Sequence, residues 1–185
     1  MNLLSLLRKL HHLFESQKRK SYLNGLESKG LQLGKNVEII ADFFFDPSHC
    51  FLISIGDNCT ICPNVRLIAH DASTKKILGY TKIGRIDIKE NCFIGDSAIV
   101  LLGVTIGPNS IVGAGSVVTN DIPPYTIAAG NPARILSSLE EYIKKIKAIS
   151  ENKKIFTEEY FIDKLDEPKR REIIQSIGNS IGFIV

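Results

Sequence analysis

Residues 88–123 read IKENCF IGDSAI VLLGVT IGPNSI VGAGSV VTNDIP, six hexads without a gap, headed by Ile88, Ile94, Val100, Ile106, Val112 and Val118. A second column four residues on holds Cys92, Ala98, Val104, Ser110, Ser116 and Ile122, mostly small or apolar, as side chains pressed against an interior should be. The same frame reads IGDNCT, ICPNVR and LIAHDA from Ile55, Ile61 and Leu67, with Cys59 and Val65 in the second column. A period of six is neither helical nor a simple strand alternation. It suits a solenoid of short parallel strands in which each turn buries its Ile or Val on the next, and whose ends need caps. Pairs such as Gly56-Asp57, Gly95-Asp96, Pro108-Asn109 and Gly113-Ala114 are placed to supply the tight or positive-φ corners.

Composition sets the bounds around this core. With 44% hydrophobic and 23% charged residues in 185, the chain has the make-up of an ordered globular protein. A net charge of +3, carried by Lys and Arg lying mostly near the termini among Asp and Glu, gives no nucleic-acid footprint. The opening MNLLSLLRKLHHLF is broken by Arg8 and Lys9 before a signal peptide's apolar region could form. No stretch approaches the roughly 20 apolar residues of a membrane span, so a cytoplasmic protein is expected. Cys59-x-x-Cys62 has no second ligand pair after it, and the frame turns Cys59 and Cys92 inward. The cysteines therefore read as packing residues and no metal is expected.

Both flanks read as helical. Leu3, Leu6, Leu7, Leu10, Leu13 and Phe14 recur at helical spacing and predict an amphipathic cap over the open end of the coil. Arg8, Lys9, Lys18, Arg19 and Lys20 leave a membrane-surface helix as the alternative. Beyond the coil, Leu139, Tyr142, Ile143, Ile146 and Ile149 make another helical stripe, and Asp166-Glu167-Pro168 and Gly178 are start and stop signals for a third helix. The expected division is 1–32 as helical cap, 33–136 as repeat and 137–185 as helical extension.

The stretch IGDSAIVLLGVTIGPNSIVGAGSVVTNDIPPYTIAAGNPARIL resembles the hexapeptide-repeat acyltransferases, in the branch of the maltose, galactoside and polysaccharide O-acetyltransferases. The resemblance implies a mainly β fold, a left-handed parallel β-helix solenoid with N-terminal and C-terminal α-helices. It also implies acetyl-CoA as co-substrate rather than a resident cofactor, and a homotrimer with the donor cleft between chains.

The rhythm stops at His70. From Leu67 to Ile88 is 21 residues, three more than three hexads, and ASTKKILGYTKIGR between them carries no aliphatic column. An excursion from a rigid scaffold is where function tends to sit, and the catalytic loop is assigned to 70–87. A neutral imidazole can take the proton that an acceptor hydroxyl must lose as it attacks a thioester. The resemblance places the family's histidine in this loop, which makes His70 the expected general base, with Asp71 the candidate to orient its ring. By resemblance Phe93, Asp96, Ala114, Thr119, Asn120, Pro132 and Arg134 meet acetyl-CoA, with the Asp96 amide near the thioester. Asn120 and Ser137 stand where relatives carry basic residues, which shifts phosphate binding toward Arg134. Asp46, His49 and Tyr80 are candidates for holding the acceptor.

The expected activity is transfer of acetyl to a sugar hydroxyl, with a surface polysaccharide pathway as one setting. The alternatives are N-acetylation of an amino or nucleotide sugar and a catalytically inactive scaffold subunit. A γ-type carbonic anhydrase would need three histidines on the coil, where only His49 and His70 lie.

Overall fold

The computed structural model describes residue 14 and residues 17–185. The stripe Leu3 to Leu13, with His11 and His12, lies outside the described residues. Residues 17–27 are helical, and Leu23 and Leu26 from this helix join the core of the repeat.

The repeat builds three parallel sheets that the chain visits in rotation. The first stacks Gln32–Leu33, Ile53–Ile55, Ile86–Ile88 and Val104–Ile106. The second runs from Glu38–Ile39 through Thr60–Ile61, Phe93–Ile94 and Ile111–Val112 to Thr126–Gly130. The third holds Phe44–Phe45, Arg66–Ile68, Ile99–Leu101 and Val117–Val118. The hexad-heading residues stack in register: Ile88 on Ile106, Ile94 on Val112 and Val100 on Val118, each 18 positions apart, so three hexads close one turn. The second-column residues Cys59, Cys92, Ala98, Val104, Ser110 and Ser116 are buried as expected. Ile122 departs from that reading: it bridges to Ile106 and so takes the place of a hexad head. Each fully buried Ile, Val or Leu contributes about 1.5–3 kcal/mol relative to exposure, most of it offset by chain ordering.

The corners work differently from the sequence expectation. The left-handed backbone falls on the third residue after a stacked aliphatic, at Asn36, Asn58, Asn64, Asn91, Ser97, Gly103, Asn109, Gly115 and Tyr125. Asn and Gly adopt this conformation at low cost. Gly56 and Gly95 serve close approach instead: a Cβ on Gly95 would lie 2.6 Å from the Ala114 amide nitrogen, and one on Gly56 2.7 Å from that of Glu90. At one corner the asparagines also join, Asn36 Nδ2 donating to Asn58 (3.1 Å) and Asn58 Nδ2 to Asn91 (3.3 Å).

Departures from the 18-residue turn collect at the corner that leads from the third sheet back to the first. Ile55 stands 22 positions after Leu33, Ile88 stands 33 after Ile55, and Ile122 only 16 after Ile106. Phe45 to Ile55 thus contains four residues beyond a hexad, and Leu67 to Ile88 contains fifteen, not three beyond three hexads. The longer excursion leaves the coil as the antiparallel pair His70–Asp71 with Lys82–Ile83 and carries the short helix Lys75–Leu78, ended by Gly79 at φ 82°.

The described chain divides into two compact units, one ending at Leu139 and the other Glu140–Val185. Strand Ala133–Ser138 turns back antiparallel on Thr126–Gly130 and closes the second sheet. In the second unit the expected stripe lies in the helix Leu139–Ser150. Helix Glu167–Ile177 is capped by Asp166, whose Oδ1 accepts from the Lys169 amide at 2.9 Å, and ends at Gly178. Strands Ile155–Phe156 and Phe183–Ile184 pair in parallel. Among the described residues no helix is long and apolar enough to cross a membrane.

Replacing Gly95 with Ala forces two turns apart at a backbone contact, and overpacking of this kind typically costs about 1–3 kcal/mol. The urea midpoint of Gly95→Ala should fall accordingly. An unchanged midpoint would mean that the turns are not in contact there.

Candidate active site

Two consecutive broken corners stack on each other. In the lower one the chain leaves Phe44–Phe45, turns through Pro47–His49 and re-enters through the 3-10 turn Cys50–Leu52. In the upper one it leaves Arg66–Ile68 and starts the excursion at His70. Phe45 pairs with Leu67, and the Asp46 amide donates to the Leu67 carbonyl at 2.9 Å, which lays the Asp46 side chain beneath His70.

Asp46 is fully buried (0% side-chain exposure), and its oxygens are divided between neighbours. Oδ1 accepts from the Ser48 hydroxyl at 2.7 Å and from the Ser48 amide at 3.2 Å. Oδ2 accepts a hydrogen bond from His70 Nδ1. Burial pushes this carboxyl up, but the hydrogen bonds from His70 and Ser48 outweigh burial and hold it below the usual carboxylate value. With its Nδ1 proton engaged by Asp46, neutral His70 keeps a lone pair on Nε2, and the ring is 34% exposed. Such an imidazole is oriented, reachable and able to accept a proton.

His49 completes the group. Its ring centroid lies 4.8 Å from that of His70, at 34° between planes, and its Nδ1 lies 3.0 Å from the Ser48 hydroxyl. Ligand atoms of Asp46, His49 and His70 fall within 4.8 Å of one another, a set whose donor types could hold a divalent metal. In this arrangement both Nδ1 atoms are engaged, one by Asp46 and the other by Ser48, so the cluster is satisfied by its own hydrogen bonds.

Asp71, expected to orient the ring, is engaged elsewhere. It pairs with Lys82 across the neck of the excursion and accepts from the Ser73 amide at 2.8 Å. Those contacts, Lys82 first, hold its carboxyl at about 2. The orienting carboxylate is that of Asp46, assigned from the sequence to acceptor binding. Tyr80 is exposed in the excursion, where its carbonyl accepts from Thr74 Oγ1 at 2.9 Å.

The residues expected to meet the donor lie elsewhere on the coil. Phe93 stands half-exposed on the outer face of the second sheet, between Thr60 and Ile111. Asp96 and Ala114 occupy the next corner, one turn apart, linked by Gly115 N–H donating to the Asp96 carbonyl at 2.7 Å. Thr119 and Asn120 follow strand Val117–Val118 at the corner that also carries His70, two turns along, and Asn120 Nδ2 donates to Thr119 at 2.9 Å. Pro132 and Arg134 are exposed at the closing hairpin, with Arg134 Nη1 donating to the Ala133 carbonyl at 3.0 Å. Asp96 and Ala114 therefore sit at a different corner from His70. The four cysteines are buried and free, as packing residues should be. The Cys59 contact and burial push the Cys92 thiol well above its usual value, leaving it a poor nucleophile.

A carboxyl whose folded pKa lies below its unfolded value of about 3.9 adds stability that is present above that value and lost as pH falls through the folded one. The urea midpoint of the wild type should therefore exceed that of Asp46→Asn at neutral pH, and the gap should close as the pH is lowered below the unfolded value. A gap independent of pH would remove the charge of Asp46 from the account.

Residues 85–120 match the family described as the hexapeptide repeat of succinyl-transferase. The galactoside O-acetyltransferase of Escherichia coli K12 is 37% identical over 116 residues, 60% of this chain and 55% of that one. A Schizosaccharomyces pombe protein provisionally named an acetyltransferase is 42% identical over 114 residues, 58% of this chain and 55% of its own. Among solved structures, a hexapeptide-repeat acetyltransferase of Vibrio cholerae, crystallised with acetyl coenzyme A, matches at a TM-score of 0.55 and 32% identity, covering 60% of this chain and 61% of that one. The chain spans about half the length of the curated relatives it matches. By its repeat and by these likenesses, the chain is similar to the hexapeptide-repeat acetyltransferases.

Proposed function

We propose that the chain is an acetyl-CoA-dependent O-acetyltransferase acting on a sugar hydroxyl, with His70 as general base. The observation that carries this reading is the His70–Asp46 pair: a buried carboxylate fixes the Nδ1 proton and leaves Nε2 as a lone pair at the root of the excursion. Relatives named as acetyltransferases, one of them crystallised with acetyl coenzyme A, supply the donor. The galactoside enzyme among them supplies the class of acceptor.

In this mechanism the acceptor hydroxyl gives its proton to His70 Nε2 as its oxygen attacks the thioester carbon. Asp46 stabilises the imidazolium that forms. The C–S bond then breaks, and the thiolate of coenzyme A recovers the proton from His70. No acyl-enzyme is needed, because a thioester is already activated.

The rotating three-sheet path fits a left-handed parallel β-helix. Because Asp96 and Ala114 lie at another corner from His70, a cleft shared by neighbouring copies, as in a homotrimer, would bring donor and base together. Phe93, Thr119, Asn120, Pro132 and Arg134 are assigned to the donor on the same reading, with Arg134 as the phosphate contact. Asp71 is assigned to holding the neck of the excursion through Lys82.

His70→Ala should lower kcat on the order of a hundredfold or more while leaving acetyl-CoA affinity nearly unchanged. Equal turnover in the variant would take His70 out of the mechanism. Coenzyme A at about 100 times its Kd should stabilise the wild type by about 2.7 kcal/mol in a thermal-shift titration. No shift at any concentration would favour the scaffold alternative.

A further inference from the structure

We propose that His49 is the specificity residue of the acceptor site and that it selects a sugar carrying a hydroxyl adjacent to the one that reacts. The inference rests on the reading of His70 as the base, and it follows from where each proton in the cluster must be. Ionised Asp46 can only accept, so the single hydroxyl hydrogen of Ser48 goes to Asp46 Oδ1, 2.7 Å away. Toward His49 the Ser48 oxygen then has only lone pairs to offer. The 3.0 Å contact is therefore a hydrogen bond donated by His49 Nδ1–H, and the neutral ring carries its lone pair on Nε2. This is the tautomer that Asp46 imposes on His70.

The two rings also face the same way. Both direct Nδ1 toward Asp46 Oδ2, His70 in hydrogen-bond contact and His49 at 3.8 Å. Their opposite edges therefore both turn away from the buried carboxylate, on rings 4.8 Å apart that are 26% and 34% exposed. Two partly exposed acceptors side by side call for two donors side by side. An isolated hydroxyl satisfies one of them and leaves the other desolvated without a partner, which weakens binding. A vicinal diol satisfies both: the reacting hydroxyl faces His70 Nε2, and its neighbour donates to His49 Nε2. Ser48 acts on specificity through His49, as a positioning residue.

The test uses the full chain, acetyl-CoA, the methyl glycosides of glucose, galactose and mannose, and the monodeoxy analogues of whichever glycoside is acetylated fastest. Removing the hydroxyl next to the acetylated one should lower kcat/KM at least about tenfold in the wild type. In His49→Phe, parent and deoxy compound should be used equally within about twofold, with the coenzyme A thermal shift retained as evidence of folding. An equal penalty in both proteins, or none in the wild type, overturns the inference and leaves His70 as base untouched. Long-range 15N–1H NMR gives a readout apart from turnover. At a pH where the rings are neutral, both should carry the proton on Nδ1, and Ser48→Ala should release His49, but not His70, to the Nε2–H form. A wild-type His49 protonated on Nε2 overturns the inference whatever the kinetics. If no glycoside or other hydroxyl acceptor takes acetyl, the proposed function fails and this inference falls with it.

Discussion

Backbone contact between successive turns governs everything else in the repeat. Parallel strands lie about 4.8 Å apart, and here the aliphatic columns and the Cβ-free corners at Gly56 and Gly95 let each turn seat on the next at that spacing. A strand so seated cannot absorb an extra residue, since a slip of one would turn its buried side chains outward. Changes in length must go to corners. In this chain they all go to one corner, the return from the third sheet to the first: four residues added after Phe45, fifteen after Leu67, none after Val100 and two removed after Val118.

That concentration makes the candidate site. At most intact corners the third place after the aliphatic is left-handed, and all but Tyr125 of the residues there are Asn, Ser or Gly. At the two lengthened corners the third places after Phe45 and Leu67 are Ser48 and His70, and neither is left-handed. Freed from that requirement, the lower corner folds a turn that presents Ser48 and His49, while the upper sends out His70. Stacking does the rest, because the pairing of Phe45 with Leu67 puts Asp46 against His70. Burying a carboxylate is costly unless its oxygens are hydrogen-bonded, and Ser48 and His70 meet that requirement here. The contacts that make Asp46 tolerable also tie the His70 ring and Ser48, the neighbour of His49, to one carboxylate.

This division explains what the sequence shows and what it hides. Columns, inward cysteines, helix signals at Asp166 and Gly178 and the break at His70 are all local regularities or their interruption, and they are visible along the chain. The partner of His70 is not. Asp46 lies 24 positions away in a stretch where the hexad frame had already failed, and the four added residues after Phe45 conceal that Phe45 and Leu67 share a column. Asp71 is the obvious neighbour in the chain, but an antiparallel strand alternates its side chains, so residues 70 and 71 cannot both face Asp46. Extending the frame backward through Leu33, Ile39 and Phe45, six apart, would have exposed the 22-residue turn and pointed to Asp46. The role of the corner glycines is hidden for a related reason: close approach between turns depends on the neighbouring coil, and no single hexad records it.

An excursion as long as 70–87 could be a liability, because a loose root would let the imidazole wander and lose the orientation that Asp46 provides. Its anchors argue otherwise. The Gly84 amide donates to the Ala69 carbonyl at 3.0 Å, closing the neck beside His70, and Asp71 pairs with Lys82 just beyond. The returning strand then docks on the one unbroken corner of this edge, where the Gly103 amide donates to the Arg85 carbonyl at 2.7 Å. A Cβ on Gly84 would lie 2.8 Å from that same amide nitrogen, so only glycine lets the return pass so close. Regularity at Leu101–Gly103 is thus what makes irregularity at His70 usable. The intact turn gives the excursion a fixed landing, and the ring at its root is held by the coil on both sides while the tip, with Ile77 and Tyr80, stays exposed.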